Sequence, residues 1–273
     1  MLLLYFFRTV RPDPIAVTLG PLQVRWYGLC LALGVAAGYL LARRAFQRAG
    51  RAVDELEELL LGLVLCGLVG ARLLDVFLFE WWYFSRHLSE VWYVWQGGLA
   101  FHGGLLGGAV YLWWFSRRRS LRLLVLADLL APALALGQAI GRWGNYFNQE
   151  LFGLPTNLPW GITISPQNRP AGFEAFTTFH PTFLYESLLL GLLAVALVWF
   201  SRRKPHTGQV FALYLIASGV IRFSLEFLRL DVQSVYFSVR AGIWVALTVI
   251  ALGVGLWLWV RRTTPPRTEA APR

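Results

Sequence analysis

The chain has 273 residues, of which 57% are hydrophobic and only 15% are charged, and it contains 13 Trp. This balance, together with a positive mean hydropathy, is far from that of a soluble domain and is typical of a protein with several membrane-spanning helices. A formal net charge of +10 could indicate a nucleic-acid partner, but most arginines stand in short clusters between apolar runs. Membrane topology therefore explains the arginines better than nucleic acid does.

Seven apolar runs are long enough, at about 20 residues each, to cross the hydrocarbon core of a bilayer. They cover approximately residues 22–41, 56–79, 97–115, 123–140, 180–200, 209–228 and 239–260. Residues 1–20 carry a short apolar patch without a preceding basic region, which predicts an interfacial N-terminal arm and not a signal peptide. The sequence thus predicts an all-α polytopic membrane protein with seven transmembrane helices.

The basic residues orient these spans. With the N-terminus outside, 15 of the 25 Lys and Arg residues fall in the inner loops and the C-terminal tail, as expected of cytoplasmic segments. We therefore expect one integral membrane domain over residues 1–273, with a periplasmic N-terminus and a cytoplasmic C-terminus. Residues 141–180 would comprise the signature motif and, from residue 151, an external arm between the fourth and fifth helices, and residues 263–273 would form a disordered cytoplasmic tail.

The stretch from Gly141 to Glu150 closes the fourth apolar run with a guanidinium, three carboxamides and a carboxylate. An isolated charge at membrane depth costs about 2.5 to 3.5 kcal/mol, so such a cluster is expected where protein or water lines a cavity. The alternative is a helix end at the membrane surface whose long side chains reach water. The predicted topology places the stretch at the outer face.

Other polar groups are predicted at the same face. Three of them, Arg222, Glu226 and Arg229, have the spacing that puts side chains on one face of a helix. They could form a self-neutralising ion network that only holds helices together. For Arg142 and Arg222 we favour an anion site, because the excess of arginine would otherwise be buried without partners.

His102 stands among paired glycines, including Gly103, Gly104 and Gly107. The small-xxx-small spacing indicates close packing of helices in the membrane. The same glycines would let the backbone approach a ligand, and histidine is suited to proton transfer near neutral pH. Both interpretations stay open at this point.

The sequence lacks the motifs of several classes of enzyme. It has no Gly-x-Ser-x-Gly elbow, no His-Glu-x-x-His and no phosphate loop, while its four His and two Cys lack metal-ligand spacing. A base, several guanidiniums and an apolar interior suit chemistry on an anionic phospholipid. A lipid or anion transporter is the alternative, although the internal repeats common in transporters are missing.

Four sequence blocks carry a family resemblance: residues 101–108, 141–153, 180–186 and 222–226, joined by residues 24–28. They resemble the bacterial prolipoprotein diacylglyceryl transferase family over nearly the whole chain. The resemblance implies transfer of the diacylglyceryl group of phosphatidylglycerol to the lipobox cysteine of prolipoprotein signal peptides, giving a thioether and glycerol 1-phosphate. This is the first step of bacterial lipoprotein maturation, at the outer leaflet of the inner membrane. No metal, soluble cofactor or nucleic acid is implied; the partners are the two substrates and membrane lipid.

The resemblance also implies roles for individual residues. His102 would be the base or proton relay, and Arg142 and Arg222 would hold the phosphate. Asn145 and Tyr27 would position the headgroup, while Glu150 or Glu186 would orient an arginine. The implied substrate-binding residues are Tyr27, Gly103, Gly104, Asn145, Asn148, Glu150, Gly153, Tyr185, Glu186 and Glu226.

The chain departs from the family pattern at a few positions. Ser218 stands where a tyrosine often lies one turn before Arg222, and Tyr214 is a candidate substitute. Asp75 occupies a position where members usually carry an aromatic residue, and the sequence does not explain it. Tyr146 stands where the pattern usually has Phe, which is a mild departure, and Phe183 stands where many members have Gln.

Overall fold

The computed structural model describes residues 12–20, 22–94, 98–203, 205–231 and 235–263. Most of the predicted N-terminal arm, residues 1–11, and the predicted tail from residue 264 lie outside these ranges. Seven long helices occur in the described part of the chain. They are α1 (Trp26–Arg48), α2 (Val53–Leu74), α3 (Phe101–Arg118), α4 (Leu123–Phe147), α5 (Thr182–Ser201), α6 (Gln209–Glu226) and α7 (Ala241–Thr263).

Six helical segments within the described ranges are long and apolar enough to cross a membrane. They comprise α1, α2 with its continuation to Phe79, and α4 to α7. The third predicted span corresponds to α3, which is not among the six because four glycines, His102 and two terminal arginines lower its hydropathy. The chain is therefore a polytopic membrane protein, and a seventh span stays a prediction.

The chain forms two compact units. The first unit comprises the residues up to Ala42 together with those from Ala127 onward, and the second comprises Arg43–Leu126. In the first unit, α1 and α4 approach closely, since a Cβ on Gly34 would lie 2.8 Å from the Gly137 carbonyl oxygen. On α6, a Cβ on Gly219 would lie 3.2 Å from the Ala246 carbonyl oxygen. Small residues thus set the helix spacing, as is common in membranes.

The second unit is built on the pairing of α2 and α3. A Cβ on Gly103 would overlap the Gly70 carbonyl oxygen, and one on Gly107 would overlap the Cys66 carbonyl oxygen. The packing interpretation of these glycines is therefore confirmed. Asp75 begins the π-helical turn Asp75–Phe79, where it is buried 3.7 Å from the Arg72 guanidinium. An ion pair with Arg72 thus accompanies the acidic residue at this position.

Three predicted boundaries that bear on the candidate site are wrong. Helix α1 begins at Trp26 and not at residue 22, because residues 22–25 form strand β2, which pairs with β1 (Ile15–Leu19). Helix α4 continues through Phe147, so most of the signature stretch forms its last turns and does not follow it. Helix α6 ends at Glu226, which leaves Arg229 in the following loop and not on the helical face predicted for it.

The predicted external arm is more ordered than expected. Strands β3 (Ile162–Thr163) and β4 (Thr178–Phe179) pair antiparallel within it. An aromatic and aliphatic core covers this pair, contributed by Tyr146, Phe152, Ile162, Ile164, Phe179 and Phe183. The proline-rich composition of the arm concealed this core, because its apolar residues are spread over three separate segments of sequence.

Candidate functional site

The end of α4 presents a cluster of carboxamides around one carboxylate. Asn145 donates to Glu150 Oε1 at 2.7 Å, and Asn148 donates to the same oxygen at 3.3 Å. Asn145 is buried, whereas Glu150 is exposed. Glu150 therefore contacts two asparagines, whereas Glu186 is the carboxylate paired with Arg142. The role of orienting an arginine, predicted for Glu150 or Glu186, stays a prediction.

The chain leaves α4 through a tight turn that a buried glutamine holds. Gln149 and Leu151 both have φ of 53°, a conformation that L residues rarely adopt without support from their surroundings. The Gln149 side chain donates to the Pro12 carbonyl at 2.9 Å and accepts from the Ser165 amide at 2.7 Å. Gln149 thus ties three separate segments together, a structural role that the sequence did not reveal.

Tyr27 lies against this end of α4. A Cβ on Gly144 would lie 2.6 Å from Tyr27 Cδ2, so only glycine permits the approach. The neighbouring rings of Trp26 and Phe147 stack with centroids 4.8 Å apart. The structure therefore brings Tyr27 beside the helical turn that carries Asn145, as the sequence predicted.

Four arginines and three carboxylates of the first unit form a continuous series of ion pairs, here called the ion-pair network. In order along the series they are Arg142, Glu186, Arg229, Asp231, Arg240, Glu226 and Arg222. The predicted ion network therefore exists. It is not self-neutralising, because its formal charge is positive by one.

The two arginines predicted to hold an anion are the two ends of this network. Arg142 Nη2 lies 2.6 Å from Glu186 Oε1, and Arg222 Nη2 lies 2.9 Å from Glu226 Oε2. Their side chains are 27% and 26% exposed, whereas the Glu226 side chain is 0% exposed. Both ends of the network are thus partly accessible, whereas the side chains of Glu186, Glu226 and Arg229 are buried.

The interior of the network is fixed by Arg229, whose side chain is 3% exposed. Its Nη1 lies 3.7 Å from Glu186 Oε2, and its Nε donates to Asp231 Oδ1 at 2.8 Å. Its backbone forms an isolated bridge with Gly153. Arg229 therefore joins the half of the network on α5 to the half that follows α6.

Gly153 lies where three segments converge. Its amide donates to the His180 carbonyl at 2.8 Å, and a Cβ would lie 2.7 Å from the Leu228 carbonyl oxygen and 2.8 Å from Thr182 Cγ2. These contacts show a packing role for Gly153. Its predicted contact with substrate stays a prediction.

Tyr185 belongs to a small hydrogen-bonded group at the start of α5. Trp160 Nε1 donates to the Tyr185 hydroxyl at 2.8 Å, and the hydroxyl lies 3.1 Å from His180 Nδ1. Burial lowers the pKa of His180 below its ordinary value, which favours a neutral imidazole. The sequence suggested Tyr185 but gave no role to His180 or Trp160.

His102 is the second residue of α3 and belongs to the second unit, with an exposed side chain. The backbone before it is anchored to α2, because Arg72 Nη1 donates to the Gly98 carbonyl at 3.0 Å and Ala100 N donates to the Ala71 carbonyl at 3.1 Å. Gly104 lies in ordinary contact with α2. The action of His102 on the same substrate as the arginines stays a prediction.

Two further polar contacts were not anticipated. Asp128 on α4 accepts from the Gly208 amide at 2.6 Å and from the Phe211 amide at 2.8 Å, so it caps the start of α6. Tyr214 accepts from Gln138 at 2.9 Å and is buried. Among the described residues, no group of three or more His, Cys, Asp or Glu is placed to hold a metal ion.

These features define a class: a polytopic membrane protein in which an ion-pair network with excess positive charge ends on two accessible arginines. The family model described as prolipoprotein diacylglyceryl transferase matches residues 14–259. The chain belongs to this family.

Three bacterial relatives show the extent of the similarity. A phosphatidylglycerol–prolipoprotein diacylglyceryl transferase of Gloeobacter violaceus is 46% identical over 95% of this chain and 96% of its own length. The protein of the same name from Acaryochloris marina is 38% identical over 99% of this chain and its full length. Phosphatidylglycerol–prolipoprotein diacylglyceryl transferase 2 of Streptomyces coelicolor is 41% identical over 96% of this chain and 83% of its own length.

Proposed function

We propose that this protein transfers the diacylglyceryl group of phosphatidylglycerol to the lipobox cysteine of prolipoproteins. A bond forms between the cysteine sulfur and the glyceryl carbon, the bond from that carbon to the phosphate oxygen breaks, and the thiol proton passes to a base. The products are a thioether and glycerol 1-phosphate. The observation that carries this proposal is the ion-pair network, whose accessible ends are Arg142 and Arg222.

The arginines suit the departing phosphate. Negative charge on the phosphate grows as the carbon–oxygen bond breaks, and guanidiniums already held in place stabilise that charge without reorganisation. Glu186 and Glu226 fix one side of Arg142 and Arg222, respectively, and leave the guanidiniums partly exposed. The excess positive charge of the network compensates one charge of the substrate.

The nucleophile needs a base, because a free thiol has a pKa of about 8.5 and the thiolate is the reactive form. His102 fills this role in the proposal, since an imidazole exchanges protons near neutral pH. Gly103 and Gly104 follow it in sequence and pack against α2, which holds the start of α3, and with it His102, in place.

The headgroup glycerol needs polar partners. Asn145, Asn148 and Glu150 form one hydrogen-bonded cluster, and Tyr27 lies beside it. In the proposal these groups bind the headgroup hydroxyls. Gly153 and Tyr185 support the surrounding loop and the start of α5.

The proposed topology follows from the basic residues. Seven spans, with α3 as the third, place the N-terminus and the arm of residues 151–180 in the periplasm and the C-terminus in the cytoplasm. The arginine-rich ends of α1, α3 and α7 support this orientation. The site then faces the outer leaflet of the bacterial inner membrane.

The test is to incubate purified protein with phosphatidylglycerol and a lipobox peptide and to measure the peptide mass. We expect the diacylglyceryl increment on cysteine, and none on a peptide with Cys replaced by Ser. Absence of the increment, together with lipid or anion flux across liposomes containing the protein, would favour a transporter.

Two variants test the assigned roles. His102→Gln removes the base and Arg142→Ala removes one phosphate contact, and each should lower transfer at least about 100-fold, the lower range for loss of an acid–base or electrostatic group. Thermal unfolding in detergent checks that both variants fold. Near-normal turnover in either would refute its role.

A further inference from the structure

Arg240 is a member of the ion-pair network to which the proposed chemistry gives no role. It ends a hairpin in which β5 (Val235–Tyr236) pairs with β6 (Val239–Arg240). The two turn residues, Phe237 and Ser238, have φ of 51° and 61°, as a tight two-residue hairpin requires. The hairpin thus delivers the Arg240 side chain immediately before α7 begins.

The Arg240 guanidinium binds the carbonyl end of α6. Its Nη1 donates to the carbonyl oxygens of Glu226 at 2.9 Å and Arg229 at 2.7 Å, and its Nη2 donates to that of Asp231 at 2.8 Å. A cation at this end of a helix is favourable because the last carbonyls lack intrahelical partners. Arg240 therefore fixes the last turn of the helix that carries Arg222.

Arg240 also shares a carboxylate with Arg222. Its Nε lies 3.3 Å from Glu226 Oε1, whereas Arg222 occupies the other oxygen, Oε2, at 2.9 Å. Its Nη2 lies 3.8 Å from Asp231 Oδ1. The fully buried Glu226 charge is thus divided between two guanidiniums that are both partly exposed, and Arg222 is the one at the end of the network.

The charge of the network depends on Arg240. Without it, three arginines would face three carboxylates, and the network would carry no excess charge. The buried Glu226 would then draw more of its compensation from Arg222, which would leave less positive potential for a bound anion.

We propose that Arg240 is a positioning residue for the transfer reaction: by sharing Glu226, it keeps Arg222 electrostatically available to the phosphate of the phospholipid. The inference rests on the proposed function for its biological meaning. Arg240 itself acts through Glu226 and the end of α6, and it does not need to touch the substrate.

The test compares Arg240→Gln with Arg240→Lys and with the control Arg169→Gln. Arg169 also donates to two backbone carbonyls, those of Ile164 at 3.0 Å and Glu174 at 2.8 Å, but it is not a member of the network. It therefore reports what loss of a backbone-binding guanidinium does by itself. Thermal unfolding in detergent is measured for all three variants.

Two readouts separate electrostatic positioning from a structural effect. In R240Q, the KM for phosphatidylglycerol and the Kd for sn-glycerol 1-phosphate should both rise by about 10- to 100-fold, the size of one lost hydrogen bond to a charged group. The KM for the lipobox peptide should stay unchanged. R240K should recover most of the loss because it restores the charge, and R169Q should match the wild type.

Each outcome decides the proposal. An unchanged Kd for sn-glycerol 1-phosphate in R240Q, or R240K as weak as R240Q, would overturn it, as would an equal rise in both KM values. If R240Q fails to fold, the proposal rests on R240K. Its Kd for sn-glycerol 1-phosphate must then lie within about threefold of the wild-type value, which is less than the tenfold change in Kd that corresponds to 1.4 kcal/mol. A wild-type protein that binds this probe but transfers nothing would refute the proposed function and not the role of Arg240.

Discussion

Glu186 is the carboxylate whose removal tests the network most sharply. It is buried on α5, accepts from Arg142 at 2.6 Å and lies 3.7 Å from Arg229. Glu186→Gln keeps the shape but removes the charge between two guanidiniums. Breaking a buried pair costs about 3 to 5 kcal/mol. Arg229 retains Asp231, and Arg142 is partly exposed, so we expect a destabilisation of about 1 to 3 kcal/mol.

Thermal unfolding in detergent measures this effect against Glu55→Gln as the matched control. Glu55 pairs with Arg51 at 3.2 Å, but its side chain is 30% exposed, so its loss should cost at most about 0.5 kcal/mol. A destabilisation of about 2 kcal/mol corresponds to a lower Tm by roughly 4 to 8 °C in a chain of this size. E186Q should also lower kcat, because Arg142 is no longer fixed. Equal Tm and kcat in E186Q and E55Q would refute the reasoning.

Two further predictions concern stability. Asp128→Ala removes both hydrogen bonds at the start of α6 and should lower the free energy of unfolding by about 1 to 2 kcal/mol. The rate of transfer per folded molecule should stay unchanged. A Tm equal to that of the wild type would contradict the capping role of Asp128. His180 has a pKa below its ordinary value because it is buried, so the unfolded chain binds the proton first as the pH falls. Stability should therefore decline on acidification below about pH 6.5 and level off below the folded-state pKa. His180→Asn should remove this component, and a pH dependence of unfolding identical to that of wild type would exclude it.

Much of the helical architecture could be predicted because the length of an apolar run and the clustering of arginines at its ends are both visible within a short stretch of sequence. The ends of the helices were less predictable. From their sequence, the polar residues at the end of α4 resemble a surface loop, yet Arg142 and Asn145 are helical. Their side chains donate to carboxylates outside the helix, Glu186 and Glu150 respectively.

The sequence predicted the accessible arginines of the candidate site but not all of the residues that hold them in place. The pair Arg222 and Glu226 follows from a spacing of four residues on one helix. Arg240 and Asp231 could not be assigned this way, because a hairpin and not a helical period brings them to Glu226 and Arg229. Gln149 was equally hidden, since its partners are the backbone of residues far away in sequence.

The central claim is that the arginine ends of the network hold a phosphate that leaves with the headgroup. The most direct measurement uses phosphatidylglycerol labelled in its headgroup glycerol and counts both products of one reaction. We expect one glycerol 1-phosphate released for each peptide that gains diacylglycerol. Release of free glycerol, with the phosphate retained on the peptide, would contradict the claim.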